Sequence, residues 1–308
     1  MQKFLEETRL SRWQADVVLL FVTLIWGWSF YAVKTVVDVY PVFSFLSIRF
    51  ALALLVLLPF VWKRISRLPW TQIRPGLLSG IFLFGGYSLQ TVGLRYTSIS
   101  NSGLITGLYV VLVPIFAMWV MRQPPQLNAL VGLGFATGGL VLLTVGPSMS
   151  IGLGDTLTLL GAVAYAAHVT SVSKFGGKVE VLVYSFIQIA VVMTGSVIMA
   201  FVWEGGLALA QLTADVFHAT LLMAVLVTAL VLVLQAVSQK FTSPTHVAVV
   251  YTMEPVFAAM FGYLLAGDRL SPGALLGGGL IFAGMLLAEV GGSLFKKPVR
   301  KSVLDAGG

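Results

Sequence analysis

Residues 251 to 260 read YTMEPVFAAM and set Glu254 beside Pro255 within a stretch otherwise apolar enough to cross a membrane. A charged side chain at a helix centre costs about 2.5 to 3.5 kcal/mol on insertion scales, so Glu254 must face a wet cavity or a partner, or carry a proton. Pro255 has no N–H to give the carbonyl of Tyr251, which leaves that acceptor open to a substrate, a water or a neighbouring hydroxyl. Tyr251 and Glu254 are three residues apart and share a helix face. Two uses are open to this carboxylate. It contacts a substrate amine or carries a proton; alternatively it hydrogen-bonds across helices while the proline sets a kink.

Other polar side chains fall at similar depth. Tyr165 and His168 share a face of one span, and a histidine there titrates near neutrality if its surroundings are wet, or else serves as an interhelical donor. Trp26, Phe30, Tyr87 and Gln90 fit the walls of an aromatic, largely apolar pocket with a few orienting polar groups. Trp13, Trp62 and Trp70 stand near span ends and read as interface anchors. Lys34 and Arg49 flank the outer end of the first helical pair, where each either attracts an anion or snorkels to headgroups. Their nearness to span ends favours snorkelling.

The elements that must position these groups follow from composition. The chain has 308 residues, 58% hydrophobic and 10% charged, with a mean hydropathy of +0.95. Those fractions exclude an ordinary soluble domain and specify an integral membrane protein. A span needs roughly 20 mainly apolar helical residues. Ten such segments are expected, at 15–35, 42–62, 75–94, 99–121, 127–145, 154–173, 181–203, 217–238, 244–265 and 272–292. Alternating barrel strands are absent from the pattern, so the expected fold is all-α.

The formal charge of +7 reflects topology rather than nucleic-acid binding. With a cytoplasmic N-terminus, all but Lys34, Arg49, Arg95 and Arg269 of the 19 Lys and Arg residues fall on the inside. Both termini are therefore expected in the cytoplasm, and the first span is expected to stay as an anchor rather than be cleaved. Residues 1–14 form a cytoplasmic segment and 294–308 a basic, disordered, lipid-facing tail. The chain has no cysteine, which removes disulfides and thiolate metal sites.

The chain also resembles itself. Displaced by 145 residues, YTSISNSGLITGLYVVLVPIFAMWV (96–120) lies over FTSPTHVAVVYTMEPVFAAMFGYLL (241–265) without a gap, and Gly132, Gly134 and Gly139 meet Gly277, Gly279 and Gly284. Two five-helix repeats, 15–146 and 147–293, are expected; five being odd, the second enters the membrane inverted, with a cavity between the halves. In this register Tyr109 is the equivalent of Glu254. Thr106 lies one turn before it and Asn101 further outward, all three read either as cavity lining or as helix-stitching groups. Pro114 frees the carbonyl of Val110, a second break in the other repeat. The glycines of GLGFATGG (132–139) and GALLGGG (273–279) are assigned to close helix packing.

These residues resemble the EamA-type branch of the drug/metabolite transporter superfamily. TLIWGWSFYAVK (23–34) is similar to its first-helix signature, LSIRFALALLVLLP (46–59) to its second helix, and MEPVFAAMFGYLLAGDRLSPGALLGGGLIFAGMLL (253–287) to its most recognisable run. The chain departs from the family at RQPPQ (122–126), where a Gly-Glu pair is usual, and at VAYAAH (163–168), where a Trp is common. The resemblance implies a multi-pass protein of the cytoplasmic (inner) membrane that exports or exchanges small metabolites, including amino acids and amphipathic compounds. Expected partners are a small-molecule substrate and the bilayer, with no nucleic acid. No cofactor or metal is expected, as no phosphate-cradling loop occurs and His168, His218 and His246 are widely spaced without an HExxH motif. A membrane enzyme would need a convergent acid/base set that is not visible, and a passive channel is the other alternative.

Overall fold

The computed structural model describes residues 11–65, 68–122, 127–144, 152–175, 179–238 and 250–294. The basic tail from Phe295 and residues 1–10 of the expected cytoplasmic N-terminal segment lie outside these residues. So does the start of the ninth expected span, 244–249. Among the described residues the structure is helical, with no strand.

Helices α1 (Arg12–Val37), α2 (Val42–Ile65) and α3 (Trp70–Leu94) open the chain. The fourth expected span is two helices, α4 (Ile99–Gly107) and α5 (Tyr109–Met121), broken at Leu108. α6 (Leu127–Thr144), α7 (Leu153–Phe175) and α8 (Val181–Trp203) follow. The eighth expected span begins at Ala214 and changes winding within itself: α9 (Ala214–Leu222), a π-helical stretch (Met223–Leu230) and α10 (Val231–Ser238). α11 (Met253–Ala266) and α12 (Pro272–Leu294) complete the described chain. Among the described residues, seven helical stretches are long and apolar enough to cross a membrane, with Ile99–Val120 and Ala214–Gln235 each counting as one, and Leu130–Gly139, Met253–Ala266 and Leu275–Leu287 are shorter apolar helices.

Polar links gather one end of the bundle. Lys34, in the last turn of α1, donates to the carbonyl of Leu94 at the end of α3 (2.9 Å). Glu204, just after α8, accepts from Phe43 N (2.7 Å), Ser44 N (2.9 Å) and Ser44 Oγ (2.8 Å), satisfying orphan donors in the first turn of α2. Asp268, just after α11, does the same for α4 through Ser100 N (2.9 Å) and Oγ (2.8 Å). Thr97 donates to Asp155 at the start of α7 (2.6 Å). This end therefore collects the C-termini of α1, α3, α8 and α11 with the N-termini of α2, α4 and α7. At the far end of the α2 and α8 pair, Arg64 forms an ion pair with Glu180.

Glycines set how closely helices approach. A Cβ on Gly139 of α6 would meet the carbonyl oxygen of Gly277 and stand 2.8 Å from Ile281 N of α12. A Cβ on Gly284 of α12 would stand 2.5 Å from the carbonyl oxygen of Gly132 and 2.8 Å from Ala136 N of α6. Backbone cannot yield as a flexible side chain can. Gly134, Gly138 and Gly279 have nothing within 4 Å of the same position, so the packing assignment holds for only part of each run. We expect Gly139→Ala and Gly284→Ala each to cost about 1–3 kcal/mol, whereas Gly138→Ala is neutral or slightly stabilising. Thermal unfolding of the detergent-solubilised variants measures this; equal melting temperatures for Gly139→Ala and Gly138→Ala would refute it.

Candidate functional site, a polar cavity between the helices

The helix breaks lie where the chain presents its polar side chains. Val250 and Tyr251 are helical, Thr252 is a single turn residue after them, and α11 starts at Met253. Pro255 then falls in the first turn of α11, where its missing N–H has no intrahelical acceptor to serve. Glu254 is thereby held at a helix N-terminus inside the bundle and is buried. Across from it, Tyr109 opens α5 directly after the Leu108 break, and its hydroxyl donates to Glu254 Oε2 at 3.2 Å.

These two residues line a cavity with about 80 Å³ open to the centre of a water molecule. At roughly 10–15 Å³ per water on that measure, it has room for about five to eight waters or a small molecule of similar bulk. Of the sequence-predicted candidates, Trp26, Phe30, Tyr87, Gln90, Thr106, Tyr109, Tyr165, His168, Tyr251 and Glu254 line it. Asn101 does not. It sits one turn into α4, where its backbone N–H donates to the Ser98 N-cap at 3.1 Å. The lining candidates come from α1, α3, α4, α5, α7 and α11, with Tyr251 just before α11.

Aromatic rings give the walls their shape. Trp26 and Tyr251 meet edge to face with centroids 5.4 Å apart, Tyr87 and Tyr165 likewise at 5.8 Å, and Phe50 stands against Tyr87 at 4.9 Å. Tyr165 is admitted by Gly86, where any Cβ would strike its ring at 2.6 Å. A short polar chain crosses the same space: Tyr165 Oη donates to Gln90 Oε1 (3.0 Å), and Gln90 Nε2 donates to Thr106 Oγ1 (3.0 Å). His168 is buried and its Nε2 lies 2.7 Å from Gln188 Oε1 on α8, while Gln188 Nε2 donates to the carbonyl of Tyr184 (3.2 Å). The histidine is therefore held as an interhelical group as well as a wall residue.

Arg49 overturns the snorkelling expectation. It is 1% exposed and lines the cavity; its Nε donates to Thr228 Oγ1 of the π-helical stretch at 2.9 Å. Thr228 of the π-helical stretch, Tyr87 of α3 and the rings of Phe45 and Phe50 on α2 itself surround the guanidinium, whatever its distance from the span end along the chain. Lys34 behaves differently, paired with Asp38 at 3.3 Å and bound to the end of α3. Sequence reasoning also missed Ser29, Leu83, Val169, Val227, Leu232 and Gln235, which complete the lining. Gln235 carried a usable signal, as the amide in an otherwise apolar eighth span. Among the described residues no group of three or more His, Cys, Asp or Glu is placed to hold a metal ion.

Fold and site define an all-helical, multi-pass membrane protein with a mixed polar and aromatic hollow inside it. Residues 13–145 and 152–289 each match the EamA-like transporter family, and the chain belongs to that family, within the drug/metabolite transporter superfamily. An uncharacterized transporter of Archaeoglobus fulgidus is 29% identical over 286 residues, covering 91% of this chain and 87% of its own length. The uncharacterized inner membrane transporter YedA of Escherichia coli is 26% identical over 307 residues, covering 93% and 94%. A solved crystal structure at 16% identity covers 93% of this chain and 100% of its own with a TM-score of 0.65, which shows a shared fold.

Because Gln90 bridges Tyr165 and Thr106, Gln90→Leu leaves two polar groups without their partner. We expect a loss of about 1–3 kcal/mol, of which a second change, Tyr165→Phe, returns part. A double-mutant cycle on thermal or denaturant unfolding checks it; strict additivity would show that the bridge carries no stability.

Proposed function

We propose that this protein is a secondary carrier that moves small metabolites across the cytoplasmic membrane by alternating access. The observation that carries the reading is the hydrogen bond between Tyr109 and Glu254, residues 145 apart that are equivalents in the internal repeat, at the wall of the cavity. Groups related by a two-fold axis touch one another only near that axis. The glycine contacts support the same axis: Gly139 against Ile281 N and Gly284 against Ala136 N are one contact seen twice, each residue displaced by 145. Helix polarity supports the inversion, since α1 ends where its counterpart α7 begins and α2 begins where α8 ends.

In this reading the repeats span 15–146 and 147–293, ten membrane segments enclose the cavity, and both termini lie in the cytoplasm. The cavity is the substrate site. Glu254 accepts a substrate amine or carries a proton, Tyr109 and Thr106 orient polar groups, and the rings of Trp26, Tyr87, Tyr165 and Tyr251 cover the apolar part of the ligand. Net outward movement, by export or exchange, follows from the resemblance to efflux carriers. The energy comes from substrate or ion gradients, as the sequence has no nucleotide-binding motif.

Purified protein in sealed vesicles tests this with a panel of labelled amino acids and amphipathic amines. We expect saturable uptake and counterflow, with Glu254→Gln lowering the rate at least about tenfold and flattening its dependence on pH. Unsaturable flux would identify a channel. An unchanged rate and pH profile in Glu254→Gln would leave the carboxylate without a mechanistic role.

A further inference from the structure

We propose that Arg49 is the anion anchor of the cavity and receives the carboxylate of the transported molecule; this rests on the carrier reading above. An isolated guanidinium taken out of water is costly unless it is paired and hydrogen-bonded. Arg49 is 1% exposed, yet among the described residues it forms no ion pair. Its only hydrogen bond there runs from Nε to the neutral Thr228 hydroxyl, and its two Nη atoms donate to no group of the described residues. The rings of Phe45, Phe50 and Tyr87 surround it with centroids 5.4 to 5.9 Å from Cζ, which eases desolvation of the cation without using its N–H groups.

The unused donors belong to a residue of the cavity wall. With Nε fixed by Thr228, the Nη edge is the part of the fork left for a ligand, and two N–H groups side by side match the two oxygens of a carboxylate. Glu254, the acid of the same wall, takes its hydrogen bond from Tyr109. That carboxylate disfavours a multiply charged anion such as phosphate, while a monoanion bearing an amine answers both groups. The modest free volume limits the ligand to a small molecule.

Isothermal titration calorimetry on the purified full chain tests the assignment with matched pairs that differ by a carboxylate: leucine and isoamylamine, phenylalanine and phenethylamine, with inorganic phosphate as a further probe. At least one amino acid should bind about tenfold or more tighter than its decarboxylated amine. Arg49→Gln should abolish that ratio and Arg49→Lys restore part of it. A purely structural role would lower binding of both members together and leave the ratio intact. If Arg49→Gln does not fold, Thr228→Val keeps the charge, removes its orienting acceptor and should lower the ratio severalfold. The proposal is overturned by an unchanged ratio in Arg49→Gln or in Thr228→Val, by no binding across the panel, or by phosphate binding tighter than every carboxylate. The carrier reading fails separately: selective binding without flux in vesicles leaves the anchor standing and removes transport.

Discussion

A bilayer offers no hydrogen bonds to a buried polar group, and the arrangement of this protein answers to that constraint. Glu254, Arg49 and His168 would be costly facing lipid, so the helices bearing them turn inward and the bundle must enclose a space that suits them. Their partners come from other helices: Tyr109 for Glu254, Thr228 for Arg49 and Gln188 for His168. Each pairing fixes the rotation of one helix against another, which apolar packing alone specifies weakly in a medium as apolar as leucine.

The breaks in the helices serve the same demand. A continuous helix through residues 99–121 would commit every backbone group to its own ladder. Interruption at Leu108 instead lets α5 begin with Tyr109 at the cavity, and interruption at Thr252 does the same for Glu254 in α11. Gly103 and Gly107 of α4 lie against the side chains of Ala258 and Pro255 of α11, so the two segments pack closely. Small residues at that contact are what allow the tyrosine hydroxyl to reach the carboxylate.

Much of this was legible in the sequence because lipid makes polar residues conspicuous. Glu254, Tyr109, Tyr165 and Gln90 stand out in apolar spans, and helical spacing with the 145-residue register brings them to one place. Asn101 misled because it is polar and in the same helix as Thr106, yet it belongs to the capped first turn of α4. Arg49 misled for the opposite reason: distance along its own helix was taken as depth, when Tyr87 of α3 and Thr228 of the π-helical stretch, brought against it from other helices, cover the side chain. The π winding of Met223–Leu230 left no mark in the pattern, because a shift from one hydrogen-bond partner to the next is settled by what packs around the helix rather than by residue type. The Leu108 break was half legible, since Pro114 announced a disturbance and placed it a turn too late.

The fastenings of α2 and α8 have a mechanical consequence. Glu204 ties the last turn of α8 to the first of α2, and Arg64 with Glu180 ties their opposite ends. Two rods pinned at both ends move as a single beam until one pin is withdrawn. The interruptions at Leu108 and Thr252 lie outside this beam, each next to a residue of the cavity wall, Tyr109 and Tyr251.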